Sequence, residues 1–139
     1  MTSRERAHCA HNHVEPDRVP IDLGGHRSSG MSAIAYAKLK QALGIGTGDI
    51  YIHDMVQQLA IVETEVLDAF GVDVVELGRG FMLDSAEWTE WELPDGTPCK
   101  IPTFINVEKR GNDNVLLAND GTELAVQKEG CLYFEQTYW

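Results

Sequence analysis

Residues 18–25 read Arg18-Val19-Pro20-Ile21-Asp22-Leu23-Gly24-Gly25, and the reading of the whole chain turns on them. The apolar run predicts a short strand over residues 19–23, closed by the glycine pair. Asp22 stands near the C-terminal end of that strand. A carboxylate inside a strand needs a partner, so Asp22 is either a polar group of the interior or a site residue. The loop that follows, Gly24-Gly25-His26-Arg27-Ser28-Ser29-Gly30, puts a histidine and an arginine directly past the strand.

Working outward, residues 3–13 predict a helix with Ser3 as its cap, ended by Glu15-Pro16-Asp17 because proline cannot continue it. On the other side, Ile34, Tyr36, Leu39 and Leu43 predict a packed helix over residues 31–43, stopped by Gly44. A brief extended piece is expected at 50–54. From Asp54, read as a helix cap, an apolar stripe of Val56, Leu59, Val66, Leu67 and Phe70 runs to Gly71. Ile61-Val62 marks a break between two shorter helices there. Residues 72–77, "VDVVEL", predict a second strand, and Gly78-Arg79-Gly80-Phe81 turns the chain at its end.

Past residue 84 the character changes. Pro94-Asp95-Gly96 and Asn119-Asp120-Gly121 are turn signals, each between two extended runs. Residues 87–134 therefore predict two β-hairpins, partly paired with each other, and "CLYFEQTYW" (131–139) offers one more strand. Two parallel-type strands separated by helices do not complete an α/β domain. The expectation is the start of a larger α/β fold, cut soon after its second strand–helix unit.

The net charge of −11, from 22 acidic and 11 basic residues, argues against a nucleic-acid partner, which needs a basic face, and against docking on anionic membranes. No run approaches the ~18 apolar residues that span a bilayer. The polar N-terminus has no apolar signal core, and the chain reads as cytoplasmic. Cys9, Cys99 and Cys131 are odd in number and widely spaced, which suits free thiols in a reducing compartment.

At "EPDRVPIDLGG" (15–25), "SAIAYAKLK" (32–40), "DMVQQLA" (54–60), "EVLDAFGVDVVEL" (65–77) and "LPDGTPCKIP" (93–102) the chain resembles the N-terminal third of the uroporphyrinogen decarboxylase superfamily. The resemblance covers nearly all of its length. It is closest to the decarboxylase-like members grouped with corrinoid-linked methyltransferases. The resemblance implies a (β/α)8 barrel of which this chain is an incomplete first part. Residues 1–86 would form the first two strand–helix units, and 87–134 a β-hairpin insertion. Barrel sites sit at the C-terminal ends of the strands, so "GGHRSSG", "GRGF" and the hairpins would share the catalytic face.

Decarboxylases of the superfamily carry an arginine-rich loop of RQAGRY type after strand one and an aspartate after strand two. Here the loops read His26-Arg27-Ser28-Ser29 and Gly78-Arg79-Gly80, and Asp84 lies further on. These departures favour the methyl-transfer branch, with porphyrinogen decarboxylation as the alternative. The methyl-transfer branch implies zinc, held by histidine and cysteine ligands that would lie beyond Trp139, and a corrinoid carrying the methyl group. The implied partners are a small-molecule substrate or a corrinoid protein. The 139 residues alone would be inactive, and a second copy of the chain could cover faces meant for neighbouring strands. A further alternative is a complete, non-catalytic interaction module.

Arg27 and Arg79 are the leading substrate-binding candidates, because a guanidinium in each glycine-bearing loop suits a carboxylate, sulfonate or phosphate. His26 is a candidate acid/base or donor to substrate. Asp22 completes the set. Ser28 and Ser29 are expected to cap the following helix, and Cys99 and Cys131 to pack. The aromatic residues of the C-terminal block, Trp88, Trp91, Tyr133, Phe134, Tyr138 and Trp139, are expected to cover neighbouring structure. "HCAHNH" (8–13) gathers three histidines and a cysteine. On a helix, however, His8/His11 and Cys9/His13 pair on different faces, so one tetrahedral zinc cannot easily take all four. The segment reads as a polar packing helix and not as a metal site.

Overall fold

The computed structural model describes residues 1–46, 48–76 and 84–137. Helix α1 (Ser3–His11) opens on Thr2, one residue before the expected cap. The Thr2 hydroxyl accepts the Glu5 amide at 3.2 Å, and the Glu5 carboxylate accepts the Thr2 amide at 2.8 Å. The residue that α1 buries is Arg6. Its Nε and Nη2 donate to Asp17 at 2.6 and 2.9 Å, and its Nη1 donates to Asp73. Asp73, whose side chain has no exposed surface, also accepts from Arg18 Nη1 at 2.7 Å and from the Ile21 amide at 2.9 Å.

That network draws residues 18–22 alongside residues 72–74. The Asp73 amide donates to the Ile21 carbonyl at 2.8 Å, and Asp22 and Val74 form an isolated parallel bridge. The expected barrel start does not form. Neither 19–23 nor the described part of 72–77 is a strand, and the strand pairings within the described sheets are all antiparallel. The cause lies in where the donors go. Pro20 has none, the Ile21 amide is taken by the Asp73 side chain, and the Gly25 amide by Asp22 Oδ1 at 2.8 Å. The amides at Ile21 and Gly25 are thus withdrawn from a parallel ladder.

Helix α2 (Ala33–Leu43) is capped by Ser32, whose hydroxyl accepts the Ala35 amide at 3.4 Å, and ends on Gly44 at φ +72°. Its buried face is Ala33, Tyr36 and Lys40, spaced three and four apart, whereas Leu43 is exposed. Lys40 is accommodated by an ion pair with Glu63. The Tyr36 hydroxyl accepts the Glu63 amide at 2.9 Å and donates to the Glu63 carboxylate at 3.1 Å.

The expected helix from Asp54 is absent in its first half. Strands β1 (Ile52–Asp54) and β2 (Leu59–Ala60) form a hairpin there, and only α3 (Thr64–Phe70) is helical, ending on Gly71. The turn between the strands is held by Asp54 Oδ1, which accepts the Gln57 amide at 3.0 Å. It passes through Gln58 at φ +51°, and the Gln58 carbonyl accepts the Ala33 amide at 2.8 Å. Met55, Gln58, Leu59 and Ala60 are all buried, so burial surrounds this segment instead of following one helical face.

The β-rich block begins with β3 (Trp88–Glu92) and β4 (Pro98–Pro102), a hairpin turned at Pro94-Asp95-Gly96. Strands β5 (Asn106–Arg110), β6 (Asp113–Leu117), β7 (Glu123–Gln127) and β8 (Glu135–Gln136) follow as a separate sheet in that order. The two expected hairpins thus lie in different sheets. The β3–β4 hairpin instead joins the front of β1, where the Lys100 amide donates to the Ile50 carbonyl at 2.7 Å. One core of Tyr36, Ile52, Val66, Leu93, Ile101 and Phe134 is shared by helices and sheets.

The Ile21 amide above all, with Ser3, Arg18 and Arg6 behind it, holds the Asp73 carboxyl well below the usual range. Arg6 first, then the N-terminal ammonium, does the same for Asp17. Carboxyls lowered by folding stabilise the fold fully above their ordinary pKa of about 4, and that stabilisation is lost as the pH falls below it. The midpoint of thermal unfolding, followed by circular dichroism, should therefore drop on acidification below about pH 4. Asp73→Asn should start lower at neutral pH and lose less in acid. In a separate urea titration, Tyr36→Phe should cost about 1–3 kcal/mol, because it strips the Glu63 amide of its acceptor.

Candidate functional site

The glycine pair after residue 23 is dictated by close approach. Gly24 has φ +82°, and a Cβ on it would stand 3.0 Å from Val62 Cγ2. A Cβ on Gly25 would stand 2.6 Å from Asp22 Oδ1 and 3.0 Å from Val74 Cγ1. The loop can therefore lie flat across the place where residues 22 and 74 meet.

Past it, Arg27–Ser29 make a single 3-10 turn with a reciprocal cap. His26 Nδ1 accepts the Ser28 amide at 3.2 Å and lies 2.7 Å from the Ser28 hydroxyl. The Ser29 hydroxyl accepts the His26 amide at 3.1 Å and donates to the His26 carbonyl at 2.9 Å. His26 and Ser29 cap this turn, and the following helix is capped by Ser32, not by Ser28 or Ser29.

The turn sets Arg27 at the rim of a cleft of ≈ 580 Å³. One wall comes from Leu23 and Gly24, from Val74–Glu76 and from Ile61, Val62, Thr64 and Leu67; Trp88, Pro102 and Phe104 contribute from the β3–β4 region, and His53 from β1. The guanidinium is anchored from beneath, with Arg27 Nε 3.3 Å from Asp54 Oδ2. Asp54 is only 7% exposed, whereas the Arg27 side chain is 59% exposed. A buried carboxylate thus holds an arginine whose outer nitrogens remain open to the cleft. That arrangement can bind an anionic group carried on an apolar body.

Of the four residues singled out from the sequence, Arg27 lines the cleft. His26 lies in the same loop and Asp22 just before it, at the bridge to Val74, and both are engaged with the loop's amides: His26 as the turn's cap, Asp22 on the Gly25 amide. Arg79 lies outside the described residues. Sequence reasoning missed His53, Glu76 and the anchoring role of Asp54. Asp54 had been read as a helix cap. The signal available was the paired polar residues His53-Asp54 closing the apolar run Ile50-Tyr51-Ile52.

Zinc, which the resemblance implies, does not fit the described residues. Among them no three His, Cys, Asp or Glu side chains group to hold a metal. His8 and Cys9 sit on α1, away from Cys99 on β4 and the exposed Cys131. Burial pushes the Cys99 thiol up to about 12, with Glu90, Asp95 and Glu92 adding to it, which opposes the thiolate a metal needs. No described helix is long and apolar enough to cross a membrane.

No family model, curated protein or solved structure matches the chain.

Cys99 and Cys131 should separate cleanly by reactivity. Iodoacetamide at mildly alkaline pH should modify Cys131 in the native protein and spare Cys99 until urea unfolds it. Peptide mass spectrometry reads both sites. Native-state labelling of Cys99 at the rate of Cys131 would contradict the burial described.

Proposed function

We propose that this protein binds a small, largely apolar molecule with an anionic group in the Arg27 cleft. It would do so as part of a uroporphyrinogen-decarboxylase-like protein of the methyl-transfer branch. The observation that carries the reading is Arg27 itself, anchored on buried Asp54 and open towards an apolar cleft. The ordered sequence motifs add support, as does the meeting in one cleft of the loop after residue 23, residues 74–76 and the β3–β4 hairpin. The fold offers no support for a barrel, so the family reading rests on the motifs and the cleft.

In this reading a methylated corrinoid would supply the methyl group, a thiol acceptor would lose its proton as the thioether forms, and the demethylated corrinoid would be the leaving group. Arg27 orients the acceptor by its charged end, and zinc and the corrinoid are held outside the described residues. The three free cysteines suit the cytoplasm.

The protein expressed from its gene, supplied with zinc, methylcobalamin and 3-mercaptopropionate, should consume methylcobalamin, seen as loss of its visible absorbance. Arg27→Met should raise the KM for 3-mercaptopropionate about tenfold, the loss of one charge-assisted contact, and leave that for uncharged 2-mercaptoethanol unchanged. No turnover would remove the methyl-transfer branch. Conversion of uroporphyrinogen to coproporphyrinogen by the same protein would put the decarboxylase in its place.

A further inference from the structure

Resting on the reading of Arg27 as an anion-binding group, we infer that the cleft selects a monocarboxylate on a flat apolar body over a phosphate, and that Asp54 is the positioning residue responsible. Asp54 cannot swing away, since it is buried and its Oδ1 is already used by the Gln57 amide at 3.0 Å. Its Oδ2 takes the Nε edge of Arg27. The two Nη groups have no partner among the described residues. They present the end-on fork, whose two parallel N–H groups match the two oxygens of a carboxylate.

Charge makes the same selection. Asp54 offsets most of the single positive charge of Arg27, so the pair is close to neutral as a ligand meets it. One further negative charge completes an arginine between two carboxylates. A dianion meets the repulsion of Asp54 across one shared guanidinium, with no second cation in the pair to offset it.

The shape of the body follows from Trp88. Tyr51 meets its ring edge-on, with centroids 4.7 Å apart at 68°, which fixes the indole plane against the cleft. Tyr51 in turn is bridged to Lys100 on β4. Phe104, 68% exposed, lines the same cleft. A planar ring system can lie on these faces where a flexible chain of equal area loses more entropy on binding.

Isothermal titration calorimetry of the 139-residue chain at pH 8 tests this with four probes: 2-naphthoate, its methyl ester, 2-naphthyl phosphate and octanoate. At that pH the phosphate is a dianion. The naphthoate should bind about tenfold or more tightly than each of the other three. In Asp54→Asn the single remaining oxygen keeps the Gln57 cap while the NH2 faces Arg27 Nε, so both the charge and the ion pair are removed. The substitution should narrow the carboxylate-over-phosphate ratio severalfold, whereas a merely structural residue would weaken all probes together.

A wild-type preference for the phosphate, or an unchanged ratio in folded Asp54→Asn, overturns the inference while leaving an anion cleft standing. Octanoate binding as tightly as 2-naphthoate overturns the flat-body part. If Arg27→Met leaves the affinity for both anions unchanged, or if no probe binds, the anion cleft itself fails and this inference falls with it.

Discussion

The carboxylate of Asp73 is the constraint on which the rest of the structure leans. With no exposed side-chain surface, it gathers Arg6 from α1, Arg18 from the chain that follows, and the amide of Ile21. Those contacts span 67, 55 and 52 residues of sequence. They place residue 22 beside residue 74, and the glycine loop beyond residue 23 then lies across the junction. Without that placement, Leu23 and Gly24 would not face Val74–Glu76, and the cleft would lack one of its walls. A buried carboxylate stripped of its cations is strongly unfavourable, so the arrangement is held as a unit.

The same device recurs three times with different outcomes. Asp73 takes Arg6, Glu63 takes Lys40, and Asp54 takes Arg27. Arg6 and Lys40 are 8% and 5% exposed, so their charges are committed within the protein. Arg27 is 59% exposed although its carboxylate is buried. Arg18 is also exposed on a buried carboxylate, but its nitrogens are taken by the Val19 and Gly71 carbonyls and by Asp73, whereas Arg27 lines the cleft. An acidic chain has carboxylates to spare for holding its few cations, and here one of them holds a cation at the surface without covering it.

Much of the local structure was legible. Gly44 stops α2, Gly71 ends α3, and Pro94-Asp95-Gly96 turns the β3–β4 hairpin, because stops and turns depend on neighbours in sequence, whereas the cap of α2 is Ser32 and not the expected Ser28 or Ser29. Arg27 was also legible, as a cation in a glycine loop. What failed was the stretch from Asp54 to Ala60. Its apolar spacing suited a helix, yet Gln58 takes a left-handed conformation and its amide group is buried without a partner among the described residues. Contacts to Met31, Ala33 and Tyr51 override the local preference there. The apolar runs at 19–23 and 72–77 misled for a related reason. Val19, Ile21 and Val75 stay exposed here, and an apolar run does not specify which donors remain for a ladder.

By itself the sequence determined where elements begin, stop and turn, which residues are apolar, and that an arginine follows a glycine pair. Those properties depend on interactions a few residues long. Tertiary structure alone decided that Asp73 would gather two arginines and the Ile21 amide that a parallel ladder would have used, that Lys40 would face the core, and that Asp54 would seat Arg27 instead of capping a helix. Each is a competition between one side chain and distant backbone or charge. Its outcome depends on burial, where an unpaired polar group costs far more than in water.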